Sequence, residues 1–264
     1  MGRLALRPGI RANAHAQAGA TGDTWENTTS ISYDGVDEAH ESSAVGFTDS
    51  AYSVSMWFKL DSLAVGSYGP MLFSVGTAAG TWNEYRTMLY FNRTVGQIRV
   101  REGSGATRNS LNSSVIPSLD TWYHLALTSS GDGAYLGVKI YLDGAEVASF
   151  TGLAAGAGPY TWRLYLGMIN QTQTANKEHF AGNIDEVMCF DSELSASAVA
   201  DIYNAPDDVP LDPSSIGLSP VHYYRMGDLT DTDGASGVIY DRGSGGIDLD
   251  TFGGDPQKDS DVPS

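Results

Sequence analysis

One cysteine, Cys189, stands in 264 residues, so no disulfide can form within the chain. A β domain of this length does not require one, and the count leaves the compartment open. Cys189 lies in the apolar run Val-Met-Cys-Phe, which reads as a buried, inert thiol rather than a nucleophile. Positive charge is scarce: 15 Lys and Arg face 32 Asp and Glu, for a net charge of −17. So acidic a body argues against nucleic acid as a partner. No window approaches the ~18 apolar residues of a membrane-spanning helix, which leaves out a membrane as partner.

Glycine and tyrosine are plentiful, at 31 and 14 residues. That composition suits short strands joined by tight turns. Tyr52–Leu60, YSVSMWFKL, alternates with period two, placing Val54, Met56, Phe58 and Leu60 on one face and Ser53, Ser55, Trp57 and Lys59 on the other. Residues 138–150, VKIYLDGAEVASF, form a hairpin around Asp143-Gly144, a dipeptide suited to a two-residue turn with positive φ. Residues 30–42 read as a strand, an Asp-Gly turn and a second short strand; residues 69–77, 85–92, 96–103, 121–130 and 162–169 read as further strands. The period then changes. Ser195 is a good N-cap, and Val199, Ile202 and Tyr203 follow at helical spacing before Pro206 ends a single short helix. Many short strands and one helix give an all-β fold, a two-sheet antiparallel jelly-roll sandwich.

The charge is unevenly placed. Residues 1–20 hold Arg3, Arg7 and Arg11 and no acid, while residues 191–264 hold 15 acids and 3 bases. Arg7, Pro8 and Arg11 interrupt the ~7–15-residue apolar core that a signal peptide needs, so residues 1–29 read as a retained basic arm. Its three arginines are candidates for anchoring to a partner's acidic groove. The acidic end reads as a solvated, repelling surface, with divalent-cation ligation as the alternative. The remaining organisation is a sandwich over 30–204, a Pro/Asp-rich linker over 205–220, and C-terminal strands with an acidic tail over 221–264. Those last strands are expected to pack on the same or a neighbouring sandwich, because an open sheet edge is a pairing template.

The series SISYDGVDE, SVSMWFKL, DTWYHLALTSS, VKIYLDGAEV, LYLGMI and FAGNIDEVMCFDSELSASAVADIY resembles, in order and spacing, the concanavalin A-like laminin-G/pentraxin domains. The resemblance covers about residues 30–204. It implies the concanavalin A-like sandwich and carbohydrate or protein binding, in some members through calcium, but no single activity. The segment Tyr-Arg-Met-Gly-Asp, residues 224–228, lies after this domain and resembles laminin-G-like virion proteins of tailed bacteriophages. Together these imply a non-enzymatic virion structural protein, a capsid decoration or tail-fibre component. It would be held by other virion proteins and by copies of itself as a homo-oligomer, and in some cases by host-surface glycans. The alternative is a secreted or cell-surface carbohydrate-binding module, calcium-dependent or not.

Three chemistries compete for the polar residues. The same sandwich carries glucanases, whose retaining mechanism needs two carboxylates about 5–5.5 Å apart on one strand face. Here Asn183 stands where such a motif needs Glu, and Asp185 and Glu186, being adjacent, are expected on opposite faces, one bracing a turn and one facing solvent. The chain is therefore expected not to be an enzyme. The pentraxin resemblance implies calcium ligands from two loops, which offer Asn83, Glu84, Asn170 and Glu178, an amide-rich set for an ion that prefers several carboxylates. Trp82 and Tyr85 beside the first loop are candidates for stacking on sugar faces, with rim packing as the alternative. His124, His179 and His222 show no ligand spacing, and no Ser-His-Asp or Cys-His arrangement, P-loop or dinucleotide fingerprint is present.

Overall fold

The computed structural model describes residues 27–45, 51–77, 85–102, 109–131, 136–153, 162–169, 178–205, 212–226 and 237–263. Arg3, Arg7, Arg11, Trp82, Asn83, Glu84 and Asn170 lie outside these residues, and of Tyr85 only the backbone is described.

In chain order the strands are β1 (Ser30–Asp34), β2 (Glu38–Val45), β3 (Tyr52–Leu60), β4 (Met71–Thr77), β5 (Tyr85–Phe91), β6 (Ile98–Glu102), β7 (Asn109–Asn112) and β8 (Trp122–Ser129). They continue as β9 (Leu136–Leu142), β10 (Ala145–Leu153), β11 (Trp162–Leu166) and β12 (Ala181–Phe190). Helix α1 (Ala196–Tyr203) and a 3-10 turn (Pro213–Ile216) follow, then β13 (His222–Tyr224), β14 (Leu249–Gly253) and β15 (Gln257–Asp259). All pairings are antiparallel. One sheet has eight strands in the order β10-β9-β8-β3-β12-β1-β15, with β13 also on β12; the other has seven, β14-β2-β11-β4-β5-β6-β7.

The expected period-two alternation holds where it matters. Val54, Met56, Phe58 and Leu60 of β3 lie in the core between the sheets, with Ile184, Val187 and Cys189 of β12 and Phe73, Val75, Leu89 and Val100 of the opposing sheet. Burial pushes the Cys189 thiol far above its usual range. Asp143 and Gly144 take φ of 49° and 76° in the β9–β10 hairpin, the geometry of a tight turn whose twist matches the strands. The Asp-Gly turn after β1 does something else: it carries the chain from one sheet to the other, since β1 pairs with β12 and β15 while β2 pairs with β11 and β14. Gly182 at the head of β12 has φ of 143°, and a Cβ there would lie 2.0 Å from the Lys59 carbonyl, so only glycine fits between β1 and β3.

The C-terminal residues pack on their own sandwich. β13 extends the edge of β12, β14 borders β2, and β15 borders β1. Asp241 locks this return. Its carboxylate accepts from the Tyr223, Gly243 and Ile247 amides at 2.9, 2.8 and 2.9 Å and contacts His222 Nδ1 at 2.7 Å. Burial alone would raise the Asp241 carboxyl, but these bonds outweigh it and hold it below its ordinary range. The exposed Asp261 also ties the tail to the sandwich: it pairs with Lys59 and accepts from Trp122 Nε1 at 2.8 Å.

Candidate functional site

Asp185 and Glu186 share a face. Along β12 the pairing with β3 runs Asp185↔Trp57 and then Met188↔Ser55, so three residues on one strand answer two on the other. This bulge is absorbed at Glu186, whose φ is 49°. Val187 therefore points into the core, and Glu186 joins Asp185 and Met188 on the outer side. The expectation of opposite faces, with one acid in solvent, is corrected by the bulge: both are buried, at 0% and 2% exposure. Asp185 accepts from Asn27 Nδ2 and from the Glu186 amide, each at 2.9 Å. Glu186 accepts from the Tyr223 hydroxyl. Burial and the Glu186 charge push that phenol well above its ordinary range, while the buried Arg225 beside it pulls the other way.

A second polar pair lies on this outer face. Ser55 Oγ is 2.8 Å from His124 Nε2. Both are buried, and the rings of Trp57 and Tyr203 lie 5.3 Å and 5.9 Å from the His124 ring. Above them α1 lays Val199 and Ile202 onto Ala126, Tyr141, Met188, Phe190 and Tyr223. The helix forms there because the Ser195 hydroxyl caps the Ala198 amide at 3.1 Å and its two buried apolar residues fall on one stripe. Helix α1 thus covers the β8, β9, β12 and β13 part of this outer face, where Asp185, Glu186, Ser55 and His124 are all buried.

The outer face of the seven-stranded sheet is different. Across it, register places Asn112, Arg99, Tyr90 and Met71 in one row and Ser110, Arg101, Met88 and Ser74 in the next. Ile169 packs over Met71, Met88 and Tyr90, so the β4–β5 part is roofed. Beside that roof, β6 and β7 present half-buried Arg99 and Arg101 and exposed Ser110 and Asn112. Arg99 donates to Ser110 Oγ at 3.2 Å, and its guanidinium carbon stands 6.0 Å from the Tyr90 ring centre. Burial pushes the Tyr90 phenol up, and the Arg99 and Arg101 charges pull it back. At the far side of the sheet Arg163 pairs with Glu41 at 3.3 Å.

Glu178, expected as a loop ligand, is a brace. It is 1% exposed and accepts from the Ser67, Tyr68 and Gly69 amides at 2.9, 3.0 and 3.2 Å. A Cβ on Gly66 would lie 1.8 Å from its carboxylate. The Glu178 carbonyl accepts from the Met71 amide at the start of β4. Among the described residues no three His, Cys, Asp or Glu converge as a metal cluster, and no helix is long and apolar enough to cross a membrane. Tyr90, Arg99 and Arg101 were not singled out from sequence. The alternation Ile98-Arg99-Val100-Arg101 carries the signal, since it puts both arginines on one strand face.

A family model described as the concanavalin A-like lectin/glucanases superfamily matches residues 32–200. No curated protein sequence matches the chain. Among solved structures, a proposed carbohydrate binding protein from Bacteroides ovatus aligns at 19% identity and a TM-score of 0.59, covering 88% of this chain and 59% of its own. This chain thus spans a little over half the length of that protein. The CBM40 module of a Ruminococcus gnavus sialidase aligns at 13% identity and a TM-score of 0.52, covering 67% of this chain and 99% of its own. A pentraxin from Limulus polyphemus aligns at 15% identity and a TM-score of 0.47, covering 68% and 83%.

Proposed function

The chain belongs to the concanavalin A-like lectin/glucanases superfamily, and from that premise we propose that it is a non-catalytic carbohydrate-binding module acting outside the cell or at its surface. One observation carries this reading. Of the two outer sheet faces, one has its polar residues buried beside α1, while the other presents Arg99, Arg101, Ser110 and Asn112 beside a roofed aromatic, Tyr90. Convergent polar groups next to an aromatic are what a sugar, apolar on its ring face and polar at its edge, requires. The Bacteroides and Ruminococcus proteins, named for carbohydrate binding, lend support through shared fold alone. Catalysis is disfavoured because the β12 carboxylates are buried with partners of their own.

The virion reading draws on residues 221–246, and the described part of that span, 221–226 and 237–246, packs on this chain's own sandwich through β13 and Asp241. The carbohydrate-binding reading is preferred because these described contacts are made within the chain. Affinity electrophoresis through gels containing single polysaccharides, run beside a reducing-sugar assay, tests it. Retardation by at least one polysaccharide without release of reducing ends is expected; hydrolysis of the retarding polymer would overturn it. A calcium contribution from Asn83, Glu84 and Asn170, which lie outside the described residues, is tested by melting with calcium and with chelator, since an ion bound only by the folded state raises the transition.

A further inference from the structure

We propose that a second copy of this chain docks on the end of the sandwich where β3, β5 and β7 finish, forming a two-fold dimer through the apolar side chains exposed there. The inference goes beyond the carbohydrate-binding reading and does not depend on it. Of the seven exposed large apolar side chains among the described residues, six lie in four connections at this end: Val36, Tyr68, Val95, Val115, Ile116 and Leu119. The connections adjoin. Asp61 donates its amide to the Ala181 carbonyl at 2.9 Å, Asp120 to the Leu60 carbonyl at 2.9 Å, and Arg93 to the Tyr68 carbonyl at 3.0 Å. A Cβ on Gly96 would meet Ile116 at 3.0 Å and Leu63 at 3.2 Å, and one on Gly35 would lie 2.8 Å from Val65. Exposed apolar side chains scattered singly need no explanation; gathered at one end they mark an interaction surface.

These side chains are held out on pinned backbone. The Ser113 hydroxyl accepts from the Ile98 amide at 3.1 Å, its carbonyl accepts from Gln97 Nε2 at 3.0 Å, and the Ser118 amide donates to the Tyr123 hydroxyl at 3.1 Å. Asn92 Oδ1 accepts from the Thr94 amide at 2.9 Å, closing the turn that exposes Val95. Docking on them therefore orders little chain. The rim of the patch fits a copy of itself. Asp61 follows β3 and Asp120 precedes β8, paired strands of the eight-stranded sheet, and both acids are exposed. Exposed Arg93 lies between β5 and β6 of the seven-stranded sheet and donates to the Gly66 carbonyl. The β3–β4 and β7–β8 connections, which cross from one sheet to the other, carry Leu63 and Ile116 between these charges. A two-fold axis through the patch sets the acidic side of each copy against Arg93 of the other, twice over. Burial raises the Asp61 carboxyl, and the Asp120 charge adds to this while Lys59 pulls it back, so a cation brought by another copy relieves the site. Residues 34–37, 61–68, 92–97 and 113–121 come to the roughly 20–30 residues a side of a stable interface.

Sedimentation velocity of the full chain between about 1 and 100 µM tests the proposal, in roughly 0.15 M salt so that the net charge is screened. A concentration-dependent dimer is expected. Ile116→Asp should weaken it at least ten-fold with an unchanged circular dichroism spectrum. Arg93→Glu should weaken it as well, and Arg93→Glu combined with Asp61→Arg should recover part of that loss, because the exchanged charges still meet across the axis. Phe150→Ser, which removes the seventh exposed apolar side chain from β10, should dimerise as the wild type does. A monomer across this range overturns the second copy as occupant, whichever partner the patch then takes. A dimer unmoved by Ile116→Asp and Arg93→Glu, or one lost in Phe150→Ser, places the interface elsewhere and overturns the proposal too.

Discussion

The outer face of the eight-stranded sheet carries Asp185, Glu186, His124 and Tyr223, and every one of them is buried; the outer face of the seven-stranded sheet carries Arg99, Arg101, Ser110 and Asn112, and none of them is. Both sheets turn alternate residues inward to the same core. They differ in what covers their backs. On one, α1 and β13 cover ionisable groups that find partners within the protein: Asn27 for Asp185, Ser55 for His124 and Tyr223 for Glu186. On the other, the excursion through Ile169 roofs the centre and leaves β6 and β7 open. The lesson is that ionisable residues gathered in sequence mark a buried network here, while the residues suited to ligand contact come from a plain alternating strand.

The sharpest way to break this comparison is to remove one arginine from each side. Arg225→Ala takes the cation away from the buried surroundings of Tyr223, Glu186 and Asp185 and is expected to destabilise the fold by about 3–5 kcal/mol. Denaturant unfolding measures it, and a loss below about 1 kcal/mol would mean that these surroundings are not buried. The seam between the sheets comes next. Buried His40 sits 2.8 Å from the Tyr33 hydroxyl and 3.2 Å from the Gly237 carbonyl, and desolvation lowers its pKa from 6.5 to about 4. The unfolded chain takes a proton near pH 6.5, while the native state resists until about pH 4. This contribution is therefore complete above pH 6.5 and falls as pH drops to 4, by up to about 3 kcal/mol. Melting temperature against pH should show that slope, and His40→Gln should flatten it. The smallest effect is on the open face: Arg99→Gln should change stability by no more than about 0.5 kcal/mol, against the large loss at Arg225.

Much of the sandwich was legible in the sequence because its signals are local. Alternation in residues 52–60 placed the core face of β3, Asp143-Gly144 placed a hairpin, and Ser195 placed the start of α1. The candidate site was much less legible. The bulge at Glu186 is set by pairing with β3 and leaves no mark in the order of residues, so adjacent acids were assigned to opposite faces. Burial of that face depends on a helix and a strand that arrive later in the chain. Glu178 sits in a polar run that reads as a loop, yet its oxygens brace three amides more than a hundred residues away. β15 is a three-residue polar strand, recognisable only once β1 offers it an edge.

The most direct test of the central claim, that the seven-stranded sheet presents the ligand face, is amide chemical-shift mapping during titration with an oligosaccharide of the polysaccharide that retards the chain most. Perturbations should concentrate in residues 85–91, 98–102 and 109–112 and leave residues 181–190 and 196–203 unmoved. Shifts centred on β12 and α1 instead would contradict it.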